Sequence, residues 1–209
     1  TMVILGGSGS VTGAVVGASK AAVDTVYVLG GPGTNLGKFQ GINGTTCDRQ
    51  GWIGFDATLR TVPRWNVSTF NAANLDPSES PNYAMWCGQT FAAGCNASDP
   101  PEGYDNHYDE WLDWYGTVAD NTVPTTVRVT AVFNNDSEPG YDFLRFEYES
   151  ATGMTVVGPA YSGYNPDISY DRTFSVAVAD YVGAGNDQVH LRWQASADGG
   201  WSDGDCLWP

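Results

Sequence analysis

A chain of 209 residues with 24 acidic against 9 basic side chains carries a formal charge of -15, which repels phosphate backbones and anionic lipid and argues against nucleic-acid and membrane-surface binding. The length suffices for one β-sandwich with a sizeable core, and no run of residues reaches the length of a transmembrane helix. Only 16% of residues are charged and 26 are Gly, a balance suited to short strands and turns rather than helices, and lysine is confined to Lys20 and Lys38, as in many extracellular proteins.

Residues 1–24 differ from everything after them, being small, apolar and almost free of aromatics, and they read as an N-terminal arm preceding a domain at 25–209. Met2 to Leu5 and Val11 to Val16 are each expected to be a strand, with Gly6, Gly7 and Gly9 as a flexible break. The start lacks the basic region of a signal peptide, so a mature, processed chain is expected. The run Val3 to Gly9 followed by Thr12-Gly13 resembles a dinucleotide-binding turn, but such a site needs a following helix and further βαβ units, and the sequence supplies neither.

From Thr25 onward, extended pieces alternate with turns: Thr25 to Leu29 before Gly30-Gly31-Pro32-Gly33, then Gly51 to Thr61 and Asn82 to Trp86. The clearest strand is Thr125 to Asn134, with Val127, Val129, Ala131 and Phe133 on one face. Its expected hairpin partner is Phe143 to Glu149, across a turn in which Pro139 and Gly140 supply the dihedrals. Phe174, Val176 and Val178, then Val189, Leu191 and Trp193, mark two more alternating strands. With no helical stripe after residue 25, the expected fold is all-β, an antiparallel jelly-roll β-sandwich with an extended arm.

Cys47, Cys87, Cys95 and Cys206 are an even number without CxxC spacing, which suits disulfides better than zinc. Cys87 with Cys95 and Cys47 with Cys206 are the expected pairs, with the other connectivities and free buried thiols left open. Sequons at Asn43, Asn66, Asn96 and Asn135 are possible glycosylation sites. Acids clustered in turns, Glu138 with Asp142 and Asp203 with Asp205, could gather hard carboxylate oxygens around a structural Ca²⁺, against the plainer alternative of solvated turn acids. Tyr104, Trp111 and Trp114 lie among acids and amides and could stack on sugar faces; strand alternation would instead send Trp111 and Trp114 to opposite faces. Acids are too abundant for a pair to identify a glycosidase, and neither His107 nor His190 sits in a nucleophile motif, so no catalytic residue is assigned and a non-enzyme is expected.

Several phrases, among them Gly51-Trp52-Ile53-Gly54-Phe55-Asp56, Tyr83-Ala84-Met85-Trp86-Cys87-Gly88, Glu138-Pro139-Gly140-Tyr141-Asp142 and the run Val189 to Pro209, resemble the MAM-like or laminin-G-like jelly-roll modules found beside immune inhibitor A-type secreted metallopeptidases. The resemblance implies a non-catalytic, exported jelly roll, in some cases with a structural calcium, and no HExxH motif is present to suggest a peptidase. In that family the phrase Trp201 to Cys206 leads into a final strand, whereas this sequence ends at Pro209. A sandwich lacking that strand would have an open groove that the arm could fill, in its own subunit or in the next. The expected function is therefore a structural subunit of an extracellular fibre or surface assembly joined to copies of itself by strand addition. A carbohydrate- or surface-binding module of a secreted hydrolase, with cell-surface glycans as partner, is the alternative.

Overall fold

The computed structural model describes residues 2–6, 24–25, 51–58, 65–68, 84–87 and 107–199. They form eleven strands: β1 (Met2–Gly6), β2 (Asp24–Thr25), β3 (Ile53–Asp56), β4 (Trp65–Ser68), β5 (Ala84–Cys87), β6 (Asp109–Thr117), β7 (Thr125–Asp136), β8 (Phe143–Ser150), β9 (Gly153–Val156), β10 (Asn165–Val176) and β11 (Gln188–Ser196). The sole helical turn among the described residues is a 3-10 turn at Val178–Asp180, so the chain is all-β there.

The strands make two sheets. One has the order β10-β7-β1-β5-β4, with β2 joined to β7 in parallel; the other runs β3-β6-β11-β8-β9, and every pairing except β2 with β7 is antiparallel. Period-two alternation explains which side of each strand is buried. Val127, Phe133 and Tyr170 from the first sheet meet Leu112, Leu144, Phe146, Val189, Leu191 and Trp193 from the second in one core. The rings interlock edge to face: Trp193 lies 5.4 Å from Phe133, 5.0 Å from Phe146 and 5.1 Å from Tyr170 between centroids, the geometry that ring quadrupoles favour. Tyr170 carries a hydroxyl into this setting and donates it to the Val157 carbonyl at 2.6 Å, which satisfies the polar end of an otherwise apolar side chain.

Two expectations change. The strands at Thr125–Asp136 and Phe143–Ser150 are not a hairpin: β7 pairs with β10 and β1, whereas β8 pairs with β11 and β9 in the other sheet. Alternation marks a strand's core face but not its partner, and residues 137–142, with Gly140 at φ +84°, carry the chain from one sheet to the other. Val178, expected in a strand with Phe174 and Val176, sits instead in the 3-10 turn, because β10 stops at Val176. The strand expected at Val11 to Val16, all but Thr25 of the strand expected at Thr25 to Leu29, and its Gly-rich turn lie outside the described residues.

Candidate functional site

The feature that organises the first sheet is the place of β1. Met2–Gly6 lies between β5 and β7, antiparallel to both: Leu5 is in register with Phe133 on one side and Met85 on the other, and Val3 with Asn135 and Cys87. Phe133, Met85, Asn135 and Cys87 are all fully buried. Among the described residues β1 is the only element joining the β10-β7 pair to the β5-β4 pair, so the sheet without it would be two separate ribbons. The two walls of this slot come from residues 84–87 and 125–136, remote in sequence from the strand that fills it.

An acidic cluster stands near one end of the slot. Glu138, Asp142 and Asp198 each bring a carboxylate oxygen within 4.8 Å of the others. The turn after β7 sets the first two, with the Asp142 amide donating to the Glu138 carbonyl at 3.2 Å, and the Asp198 amide donates to Asp142 Oδ1 at 3.0 Å. The start of β1 faces the same end, since Met2 is in register with Asp136. Sequence reading found Glu138 and Asp142 but missed Asp198, which is remote in the chain; Asp203 and Asp205 lie outside the described residues.

The outer face of the second sheet carries a denser polar network than alternation alone suggests. Arg192 donates twice to Asp113, at 2.6 and 3.0 Å, and its guanidinium lies 3.6 Å from the centre of the Trp111 ring. His190 is buried on this face, with Nδ1 2.7 Å from Glu149 Oε2 and Nε2 3.1 Å from Asp113 Oδ1. Burial acts to lower the His190 pKa, but the carboxylates of Asp113 and Glu149 outweigh it and raise it above the ordinary imidazole value. Burial acts in the opposite sense on Asp113, yet His190 and Arg192 hold its carboxyl below the usual range. Glu147, in register with Arg192, is pushed upward chiefly by burial, with Arg192 and Arg145 pulling it back.

Trp111 and Trp114 follow the strand alternation and do not share a face. The two rings stand on opposite faces of β6: Trp114 packs toward the core beside Trp52 at 6.3 Å, while Trp111 lies on the outer face between Phe55, at 5.3 Å, and the Arg192 guanidinium. Tyr104 lies outside the described residues. Asn135 is wholly buried and its amide donates to Ser137 Oγ and the Gly163 carbonyl, so this sequon is closed to a glycan in the folded chain. Asn66 lies on β4, and Asn43 and Asn96 fall outside the described residues. Cys87 is buried on β5, whereas Cys47, Cys95 and Cys206 lie outside the described residues.

Comparison with protein-family models, curated proteins and solved structures finds no match to this chain. The functional reading therefore rests on the geometry of its own strands.

Proposed function

We propose that the protein is a non-catalytic extracellular jelly-roll sandwich of the MAM-like or laminin-G-like kind that assembles with copies of itself, the first strand of one subunit filling the slot between β5 and β7 of the next. The observation that carries this reading is the central position of β1 between β5 and β7, two strands that come from much later in the sequence. A strand gripped on both sides makes main-chain hydrogen bonds to two neighbours, each worth about 1 kcal/mol net, so a joint of this kind is strong.

The same contacts serve in one chain or between two, as in domain swapping. The segment joining β1 to β2, residues 7–23, contains Gly7, Gly9, Gly13 and Gly17. Fully extended, a segment of that length reaches about 60 Å, enough to carry β1 to a neighbour. A divalent cation, with Ca²⁺ the natural candidate for an all-oxygen site, would bind Glu138, Asp142 and Asp198 and tie the loops beside the slot.

Deleting residues 1–20 tests the reading. The expected product does not assemble, and a synthetic peptide of residues 1–20 binds it and fills the slot. Assembly unchanged by the deletion would contradict strand exchange. The glycan alternative predicts retention on a glycan array that Trp111→Ala abolishes, and the enclosure of Trp111 between Phe55 and Arg192 speaks against it.

A further inference from the structure

We propose that His190 is a pH-operated clasp: as an imidazolium it ties β11 to β6 and β8 at once, and on losing its proton it releases its hold on β6. The proposal is independent of how the chain assembles. β11 is the middle strand of the second sheet, with β6 on one side and β8 on the other. The His190 side chain faces both: Nδ1 is hydrogen-bonded to Glu149 Oε2 on β8 at 2.7 Å, while Nε2 lies 3.1 Å from Asp113 Oδ1 on β6, an ion-pair contact that is not aligned as a hydrogen bond.

Two carboxylates are acceptors only, and a neutral imidazole has one N–H to offer, whereas an imidazolium has two. The arrangement therefore matches the charged ring. Asp113 is not free to turn away, because both of its oxygens accept from Arg192. Tyr115 on β6 stacks over the imidazole at 4.3 Å between centroids and 13° between planes, covering one face of the ring.

The charged and titratable groups facing the ring are Asp113 and Tyr115 from β6, Glu149 from β8 with Glu147 one step along the same face, and Arg192 from β11 itself. The nearest two are acids that favour the proton, and Arg192 opposes it while being neutralised by Asp113. When the ring gives its proton to water, the shorter contact to Glu149 retains the remaining N–H. The Nε2 lone pair then faces the Asp113 oxygen, and that repulsion loosens the link to β6. Burial alone would lower the His190 pKa, but the acids on its two sides outweigh burial and set the upward direction.

The chain has only two histidines, so ring signals of the labelled full-length protein are assignable with His190→Gln. The experiment follows the His190 ring and the Tyr115 ring by NMR through a pH titration of the wild type and of Glu149→Gln. Glu149 is partly exposed, and the amide keeps the acceptor while removing the charge. The expected wild-type midpoint lies above the ordinary value of about 6.5, Tyr115 moves at the same midpoint, and Glu149→Gln lowers it by about half a unit or more. A His190 ring already neutral below pH ~6.5, or a midpoint unchanged by Glu149→Gln, would overturn the proposal.

Discussion

Asp113 shows how one residue can hold a sheet face together. It accepts twice from Arg192 and stands beside His190, all three being buried. Asp113→Asn leaves the Arg192 charge without its partner in a poorly solvated place, and should cost about 3 kcal/mol in urea denaturation. Tyr170→Phe strands the Val157 carbonyl and should cost about 1 kcal/mol by the same assay. The pH dependence follows from three shifted groups, and Glu147, raised chiefly by burial, loses its contribution as pH rises through its folded value. The folded-state pKa of Asp113 is lowered, so its contribution is present above about pH 4 and is lost as pH falls through the folded value. That of His190 is raised, so its contribution is complete below pH ~6.5 and is lost as pH rises through the folded value. Stability should therefore fall below about pH 4 as Asp113 takes up its proton and fall above pH ~6.5 as His190 loses its own, with Glu147 tilting the interval between them downward from about pH 4.5. None of this was legible in the sequence: His190 alternates correctly onto the polar face, but its burial comes from large neighbours on β6 and β8 that only the strand order brings together.

At the scale of elements, alternation located β7, β8 and β11 because their β-branched and aromatic residues recur with period two. It did not reveal that β7 and β8 belong to different sheets, since the signal is the same for a hairpin and for a crossing between layers. The crossing makes its own demands. Gly163 has φ +76°, and a Cβ there would stand 3.3 Å from the Pro139 side chain, so Gly163→Ala should destabilise by about 1 kcal/mol or more, read from the thermal midpoint. Composition marks residues 1–24 as different from the rest, and the strand expected at Met2 to Leu5 is present as β1, but its place between β5 and β7 depends on residues 84–87 and 125–136, far along the chain. A proline cannot donate to a ladder on either side, so Leu5→Pro should prevent β1 from seating and should abolish assembly as fully as deleting it, as read by size-exclusion chromatography.

For the whole molecule, the all-β class was legible from composition and turn spacing, whereas the acidic cluster was legible only in part. Glu138 and Asp142 lie in one turn and announced themselves, but Asp198 joins them only because the segment after β11 returns to the turn after β7. On the proposed reading, β1 completes the first sheet by filling the slot between β5 and β7, with the acidic cluster beside it. The most direct measurement of that claim is the size and shape of the native, untagged protein by light scattering and negative-stain microscopy, with and without a calcium chelator. Strand exchange predicts regular polymers whose mass is a multiple of the single chain, and a cation at the acidic cluster predicts their weakening by the chelator. A single-chain mass at every concentration would place β1 permanently in its own sheet and contradict the account.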